Sequence, residues 1–356
     1  MDTLARLGEF DGRDWDRDGG KGSLRLAVIG LGAFTRGRAL EAIEASEYCE
    51  TTVVVSSSPE SIEAATTEYG IARSLSYDEY HQGVNVDAYD AVYIATPNAR
   101  HLDQAETAAR LGKHVLCEKP IEIDVERAAR MIRACENTDV TLMVAYRMQL
   151  DPVLRRLRAV IDEGLIGTPV ELHGSFSRHV LEKGGVDQWR LDPALAGGGA
   201  LMDLGVYPLN TSRFVLRTDP IAVTATTTAP DEEFEHVDEH VAFELSFPDD
   251  TTAAFTASFN AYPGSRFSVL GTEGRVTVDP AFDALLDRDV RIDRGDERIE
   301  LVGIGTNELI EELDYFATCI HTGTDPEPDG RDGLTDLQIM QAAYESAETG
   351  SRIGIT

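Results

Sequence analysis

Hydrophobic and polar positions follow two different patterns along the 356-residue chain. Up to about residue 148, short continuous apolar runs such as Leu24–Ile29 alternate with amphipathic segments of helical spacing. Continuous apolar runs are typical of strands buried on both faces, so this half predicts a parallel sheet covered by helices. From residue 149 onward, short segments with every second residue apolar are separated by turn residues, which predicts a mostly antiparallel, open sheet.

These patterns define a fold class and three regions of the chain. The class is α/β, with a doubly wound domain over residues 24–148 and an α+β domain over residues 149–356. Two helical segments close the chain, and we expect them to pack back on the first domain. Residues 1–23 are polar and lack the basic-then-apolar order of a signal peptide, so they are interpreted as an extension.

The first buried strand ends in a glycine turn that opens a helix. This order is that of a dinucleotide-binding Rossmann unit, in which glycines let the backbone approach a pyrophosphate at a helix N-terminus. Thr35 stands where the fingerprint usually has a third small residue, which reduces the closeness of helix and strand. The predicted pyrophosphate turn consists of Gly30, Leu31, Gly32, Ala33 and Phe34.

The end of the second strand bears on the choice of cofactor. Ser56 and Ser57 occupy the place where an NAD-specific site usually has an acid for the ribose 2′-hydroxyl. Because a carboxylate would repel a 2′-phosphate and hydroxyls would accept one, the sequence favours NADP, with NAD as the weaker alternative. Arg36 and Arg38 are the nearest cations for that phosphate, although both also fit exposed helix positions.

Two later strands are each followed directly, at their carboxyl end, by a polar segment. Ligands of open α/β sheets bind beyond the carboxyl ends of the strands. Cofactor-binding candidates are therefore expected in "TPNARH" and "EKP", namely Thr96, Pro97, Asn98, His101, Glu118 and Lys119.

The stretch "AGGGALMDLGVYPLN" in the second half launches a helix from three glycines. Asp203 and Tyr207 are four residues apart and are expected on one face of that helix. We expect Gly197–Gly199 to leave the helix N–H groups accessible to substrate or nicotinamide. The alternative is a capped, buried helix with an incidental tyrosine.

Charge and composition exclude several partners. Asp and Glu total 63 against 32 Lys and Arg, a net charge of -31, which argues against nucleic acid. The acids are spread along the chain and Lys is scarce, as in proteins from cells with molar internal salt; an acidic mesophilic protein is the alternative. No apolar run approaches the ~20 residues of a membrane span.

Cysteine and histidine spacing gives no sign of a metal or of disulfides. Cys49, Cys117, Cys135 and Cys319 show neither paired nor metal-type spacing, which is typical of reduced thiols in a cytoplasmic protein. His236 and His240 are four residues apart, but a third convincing ligand is missing, so no metal is expected.

Taken in order, six motifs resemble one oxidoreductase family. They are "GLGAF", "YIATPNARH", "GKHVLCEKP", "VAYRMQLDP", "DQWRL" and "AGGGALMDLGVYPLN". From Leu24 onward the chain resembles the glucose–fructose oxidoreductase/inositol dehydrogenase (Gfo/Idh/MocA) family, and most of all its glucose–fructose oxidoreductase branch with the similar NADP-dependent D-xylose dehydrogenases.

The resemblance implies roles for particular residues. Lys119, before a cis-proline, would reach nicotinamide ribose and substrate, while Asp203 and Tyr207 would be catalytic, Tyr207 as base. Further cofactor-site residues implied in this way are Arg147, Trp189 and Arg190.

The resemblance also implies a reaction, with two departures from the family pattern. The expected reaction is oxidation of an aldose at C1 to the lactone, with D-xylose the foremost substrate. The resemblance also implies a homo-oligomer, dimer or tetramer, formed through the open sheet. Tyr207 stands where inositol dehydrogenase-type members have His, which argues against a polyol ring, and Ser61 replaces the Lys that binds the 2′-phosphate. Glucose or dihydrodiol oxidation, or a non-catalytic sugar or nucleotide sensor, are the alternatives.

Overall fold

The computed structural model describes residues 13–15, 22–284 and 286–355. Residues 1–12 and 16–21 of the expected extension lie outside the described residues. The described chain divides into two compact units. The N-terminal unit holds residue 15 and residues 22–147 and 309–337, and the C-terminal unit holds residues 13–14, 148–308 and 338–355.

The N-terminal unit contains a six-stranded sheet of order β3-β2-β1-β4-β5-β6 in which every pair of neighbouring strands is parallel. Its central strands are buried on both faces, as the continuous apolar runs predict. The strands are β1 Leu24–Ile29, β2 Cys49–Val55, β3 Ser74–Leu75, β4 Ala91–Ile94, β5 His114–Cys117 and β6 Leu142–Val144. This arrangement confirms the doubly wound sheet.

The helices of this unit connect its strands. They are α1 Leu40–Ala45, α2 Pro59–Tyr69, α3 Tyr77–His81, α4 His101–Arg110 and α5 Val125–Glu136. The segment that follows the glycine turn differs from expectation, because Thr35–Ala39 is a π-helical turn that leads into α1. The last strand, β6, ends at Val144, and a short helix, α6 Arg147–Leu150, follows it.

The C-terminal unit contains a nine-stranded sheet of order β14-β13-β12-β11-β7-β10-β9-β8-β15. Neighbours are antiparallel except β7 and β10, which run parallel. The strands are β7 Pro169–Ser177, β8 Ala222–Thr228, β9 His240–Ser246, β10 Thr252–Ser258, β11 Gly264–Gly271, β12 Gly274–Asp279, β13 Arg288–Arg294, β14 Glu297–Ile304 and β15 Ile353–Gly354. The mostly antiparallel sheet is thus confirmed, while β13, β14 and β15 were not predicted.

The remaining helices follow β6 along the chain. They are α7 Pro152–Asp162, α8 Val180–Gly184, α9 Pro193–Ala196, α10 Val206–Leu216, α11 Glu308–Thr322 and α12 Gly330–Thr349. Within the C-terminal unit, α10 and the π-helical turn before it, Leu201–Gly205, pack on β7 and β10. Alternate strand residues such as Phe243, Phe255 and Phe267 are buried on this helix-covered side of the sheet.

A buried ion cluster anchors strand β13 within the same unit. Arg288 is fully buried, with its guanidinium 2.9 Å from the carboxylate of Asp151 and 3.7 Å from that of Glu308. Asp151 also accepts hydrogen bonds from the backbone N–H groups of Val153 and Leu154, the first turn of α7. A charged strand residue is therefore part of the core, which explains why the apolar pattern did not reveal β13.

Candidate active site

The two glycines of the turn after β1 are required for different reasons. Gly30 has φ +96°, and a Cβ there would lie 2.6 Å from the carbonyl oxygen of Ala95, so backbone packing alone demands glycine. A Cβ on Gly32 would meet no atom within 4 Å. Packing does not require glycine at position 32, and the missing side chain leaves the protein backbone open to close approach by a ligand, which fits a pyrophosphate.

The other predicted turn residues differ in exposure. Leu31 is buried, Phe34 is half-buried, and Ala33 is exposed beside Gly32. The N–H of Arg36 donates to the carbonyl of Gly32 over 3.1 Å, which begins the helix inside the turn. The exposed backbone at the helix start is the geometry that binds phosphate oxygens.

The serines after β2 are arranged as a helix cap. The Ser56 hydroxyl accepts from the N–H of Ser58, and the Ser58 hydroxyl caps α2 by accepting from the N–H of Ser61. Ser57 is left exposed between them. Since β2 neighbours β1 in the parallel sheet, this strand end lies at the same edge as the glycine turn.

The two arginines after the glycine turn lie on the π-helical turn Thr35–Ala39. Arg36 is exposed and its Nε donates to the carbonyl oxygen of Leu31 over 3.2 Å. Arg38 is half-buried, two residues further along the turn. Both cations therefore lie on the element directly after the glycine turn.

The ends of β4 and β5 are braced against each other. These strands are parallel neighbours, with Ile94 opposite Cys117. The Tyr93 hydroxyl donates to Glu118 over 2.6 Å, and the other Glu118 oxygen accepts from the N–H of Lys119 over 3.2 Å. Burial and the nearby carboxylate raise the pKa of Tyr93 well above its ordinary value, so the hydroxyl stays protonated and donates this hydrogen bond.

The remaining candidates of this unit lie at the same edge of the sheet. The Lys119–Pro120 peptide bond is cis. Asn98 is buried directly after Pro97, and Arg147 is buried at the start of α6. His101 is fully buried, with both ring nitrogens facing backbone carbonyls.

In the C-terminal unit, Asp203 and Tyr207 share one part-exposed side of a buried segment. Asp203 lies in the π-helical turn Leu201–Gly205, and Tyr207 lies in the first turn of α10. Among residues 201–207, all of them described, these two are the ones that are not buried. An acid and a phenol are thus presented together by a rigid element, as a catalytic pair requires.

Asp203 is held by the predicted residue pair Trp189-Arg190. The Arg190 Nε lies 3.0 Å from an Asp203 carboxylate oxygen. The guanidinium also stacks on the Trp189 ring, 4.6 Å from its centroid. The structure therefore brings Trp189, Arg190, Asp203 and Tyr207 together within this unit.

Two buried aromatic side chains fix the ring of Tyr207, and sequence reasoning did not identify them. Phe176 meets the Tyr207 ring edge-on at a centroid distance of 5.2 Å, and Phe282 lies 6.0 Å away. Both are essentially fully buried. An edge-to-face contact orients a ring specifically, so the phenol has a defined direction. The alternation of apolar residues in β7 marks Phe176 as core, but no sequence signal pairs it with Tyr207.

The glycine triplet has a different role from the one expected. A Cβ on Gly198 would lie 2.1 Å from the hydroxyl of Tyr344, and one on Gly199 would lie 2.1 Å from the carbonyl oxygen of Asp238. Asp238 accepts hydrogen bonds from the N–H groups of Gly199 and Leu201 and from the Tyr344 hydroxyl, each over 2.7 Å. The expectation that these N–H groups are open to ligand is wrong, because a buried aspartate 39 residues away occupies them.

The histidines of the superficial metal pattern have local partners. His236 lies 3.2 Å from the carboxylate of Glu235, and His240 lies 3.2 Å from that of Glu239. His240 also bonds the hydroxyl of Ser258. Among the described residues, His, Cys, Asp and Glu form no group of three that could hold a metal ion.

Comparisons with known proteins cover nearly the whole chain. A family model described as "Oxidoreductase family, NAD-binding Rossmann fold" matches residues 24–146, and the GFO/IDH/MocA C-terminal domain matches residues 154–277. The chain is 46% identical over 357 residues to D-xylose 1-dehydrogenase [NADP(+)] of Haloarcula marismortui, covering 99% of each protein. It is 31% identical to D-xylose 1-dehydrogenase (NADP(+)) 2 of Haloferax volcanii, covering 93% of this chain and 99% of that one.

Solved structures of similar fold include sugar oxidoreductases. The aldose–aldose oxidoreductase of Caulobacter crescentus, crystallised with glycerol, aligns with a TM-score of 0.88 and 31% identity over 93% of this chain and 99% of that one. The two family models and the near full-length relatives agree with one another on the family. The chain is a member of the GFO/IDH/MocA oxidoreductase family.

Proposed function

We propose that this protein is an NADP-dependent aldose dehydrogenase that oxidises D-xylose at C1 to the lactone. The observation that carries the proposal is the part-exposed Asp203–Tyr207 pair, held by Arg190 and two buried phenylalanines, in a chain whose whole length is similar to an NADP-dependent D-xylose 1-dehydrogenase. The substrate is therefore a small aldose.

The proposed chemistry divides between cofactor and protein. NADP held at the glycine turn would supply the acceptor for the hydride that leaves C1 of the sugar. Tyr207 takes the proton of the C1 hydroxyl, while Asp203, oriented by Arg190, holds neighbouring sugar hydroxyls. We assign Lys119 to the same reaction because of the family resemblance.

A sugar panel tests the proposed function. Reduction of NADP is followed by absorbance at molar KCl with D-xylose, D-glucose and inositol in turn. We expect the highest kcat/KM with D-xylose, lower turnover with D-glucose and none with inositol. Absence of turnover with every aldose would contradict the proposal and favour a sensor.

We propose that the 2′-phosphate of NADP is held at the end of β2 by the exposed Ser57 with Arg36 and Arg38. The absence of an acid at this strand end, and the two cations on the adjoining turn, support the assignment. A charge-assisted contact contributes about 1.5–3 kcal/mol, so we expect kcat/KM for NADP to exceed that for NAD by about tenfold to a hundredfold.

Substitutions at the two arginines separate phosphate binding from general damage. Arg36→Gln or Arg38→Gln should lower kcat/KM with NADP and leave it with NAD nearly unchanged. Arg133→Gln, on the exposed side of α5, is the control. An equal fall with both cofactors, or a wild type that prefers NAD, would rule out the assignment.

We propose that the protein is halophilic and cytoplasmic. The net charge of -31, spread along the chain, and similarity to relatives from Haloarcula marismortui and Haloferax volcanii support this. None of the described helices is both long enough and apolar enough to cross a membrane.

Salt dependence of stability follows from this charge. At 1 M salt the Debye length falls to about 3 Å, so repulsion among surface carboxylates is screened. The melting temperature should therefore rise by more than about 10 °C between 0.1 M and 2 M KCl. A melting temperature independent of KCl would contradict the halophilic assignment.

We propose a homo-oligomer, dimer or tetramer, formed through the open face of the nine-stranded sheet. Several outward residues of β8, β9 and β10 are small or hydroxyl-bearing, among them Thr226, Ala242, Ala254 and Thr256, which permits close approach of a second copy. Light scattering at 2 M KCl should give a multiple of the 38.9 kDa chain mass. Ala254→Arg should shift the protein toward monomer, whereas a wild-type monomer would refute the proposal.

A further inference from the structure

His101 joins the two segments that follow β4 and β5 in the N-terminal unit. The side chain is fully buried at the first residue of α4. Its Nε2 lies 3.0 Å from the carbonyl oxygen of Thr96, and its Nδ1 lies 3.2 Å from the carbonyl oxygen of Ile121. The ring therefore lies between the carbonyl at the start of "TPN" and the carbonyl of the residue directly after "KP".

Each end of this link supports a different part of the cofactor site. Thr96 packs against the glycine turn, since a Cβ on Gly30 would lie 3.1 Å from its methyl group. Ile121 is fully buried and follows Pro120, so fixing its carbonyl restrains the backbone of Lys119. The link is distinct from the Tyr93–Glu118 bond, which restrains the residue on the other side of Lys119.

The surroundings of His101 are built from paired groups. Glu122 is fully buried, accepts from the N–H of Leu102 over 3.2 Å and pairs with Arg127 at 2.8 Å. The start of α4 is thus tied twice to the segment after β5. Burial lowers the pKa of His101 despite the nearby carboxylates of Glu118 and Glu122, so the ring is neutral at neutral pH.

We propose that His101 is a positioning residue that sets the placement of Lys119 and of the glycine turn without contacting cofactor or substrate. The proposal rests on the function proposed above, in which Lys119 serves the reaction. A neutral imidazole donates through one nitrogen only, so His101 performs one of two tasks. It either holds the Thr96 carbonyl through Nε2 and supports cofactor binding, or holds the Ile121 carbonyl through Nδ1 and supports turnover.

Amide substitutions separate the two tasks. His101→Gln keeps an N–H donor near the Nε2 position, and His101→Asn keeps one near the Nδ1 position. His101→Ala keeps neither and should lower kcat about tenfold to a hundredfold, since a displacement of about 1 Å in a catalytic group has this effect. His81→Asn is the control, because the His81 ring also contacts α4 but bonds the side-chain hydroxyl of Thr107 and neither of the two carbonyls.

The readouts are the Kd of NADP by fluorescence titration and kcat with D-xylose, both at 2 M KCl. The proposal expects His101→Gln to restore NADP affinity more than turnover, or His101→Asn to restore turnover more than affinity, with His81→Asn equal to wild type. It is overturned if His101→Ala leaves both values unchanged. It is also overturned if the two amide variants restore both values in parallel with melting temperature, as a merely structural residue would. If His101→Ala does not fold, the two amide variants are compared directly with wild type.

Failure of the proposed function would be visible separately. A wild type that binds NADP but does not oxidise D-xylose would contradict the proposed function. The Kd of NADP for the His101 variants and the wild type would then still test the role of His101.

Discussion

Replacing Tyr207 by phenylalanine is expected to lower kcat with D-xylose by about 10²–10⁴, the usual contribution of a positioned acid–base group. The ring and its contacts with Phe176 and Phe282 are kept, because only the hydroxyl is removed. The Kd of NADP should stay within about twofold, since the glycine turn is untouched. Steady-state kinetics and fluorescence titration at 2 M KCl measure both values.

Tyr262→Phe is the matched control for this substitution. Tyr262 belongs to the same unit and is 89% exposed, so loss of its hydroxyl should change neither kcat nor melting temperature. A Tyr207→Phe protein that keeps near-normal turnover would show that Tyr207 is not the base. In that case Asp203→Asn becomes the next variant to measure.

The second large effect is expected at Asp238, which caps the segment that carries Asp203 and Tyr207. Asp238→Ala leaves the N–H groups of Gly199 and Leu201 and the hydroxyl of Tyr344 without their acceptor. A buried donor without a partner costs about 1–3 kcal/mol, so the free energy of unfolding should fall by roughly 3–5 kcal/mol. Urea unfolding at one fixed KCl concentration measures this loss.

Two further variants test the cap from either side. Asp249→Ala, in the exposed turn after β9, should change the free energy of unfolding by no more than about 0.5 kcal/mol. Gly199→Ala should destabilise the protein, because its Cβ would lie 2.1 Å from the Asp238 carbonyl oxygen. If Asp238→Ala and Asp249→Ala are equally stable, the cap does not hold this segment.

Local pattern was sufficient for much of the first half of the chain. β1 spans the predicted residues Leu24–Ile29, because a strand buried on both faces needs a continuous apolar run. The glycine turn follows it as expected, since tight turns before a helix depend on neighbouring residues. The sequence also anticipates an antiparallel sheet, whose side chains alternate between core and solvent.

Long-range contacts account for what the sequence did not reveal. Strand β13 carries Arg288, whose burial depends on Asp151, 137 residues earlier in the chain. The purpose of the glycine triplet depends on Asp238 and Tyr344, neither of which a local pattern connects to it. The same holds for His101, because the carbonyl oxygen of Ile121 lies 3.2 Å from its ring only once β4 and β5 are side by side.

Transfer of deuterium tests the central claim most directly. The protein is incubated at 2 M KCl with NADP and D-xylose deuterated at C1, and the mass of the reduced cofactor is measured by mass spectrometry. Oxidation at C1 breaks the carbon–deuterium bond, passes the deuteride to nicotinamide, releases the hydroxyl proton and leaves the lactone. We expect reduced cofactor one mass unit heavier than with ordinary D-xylose, and unlabelled reduced cofactor or no reduction would contradict the claim.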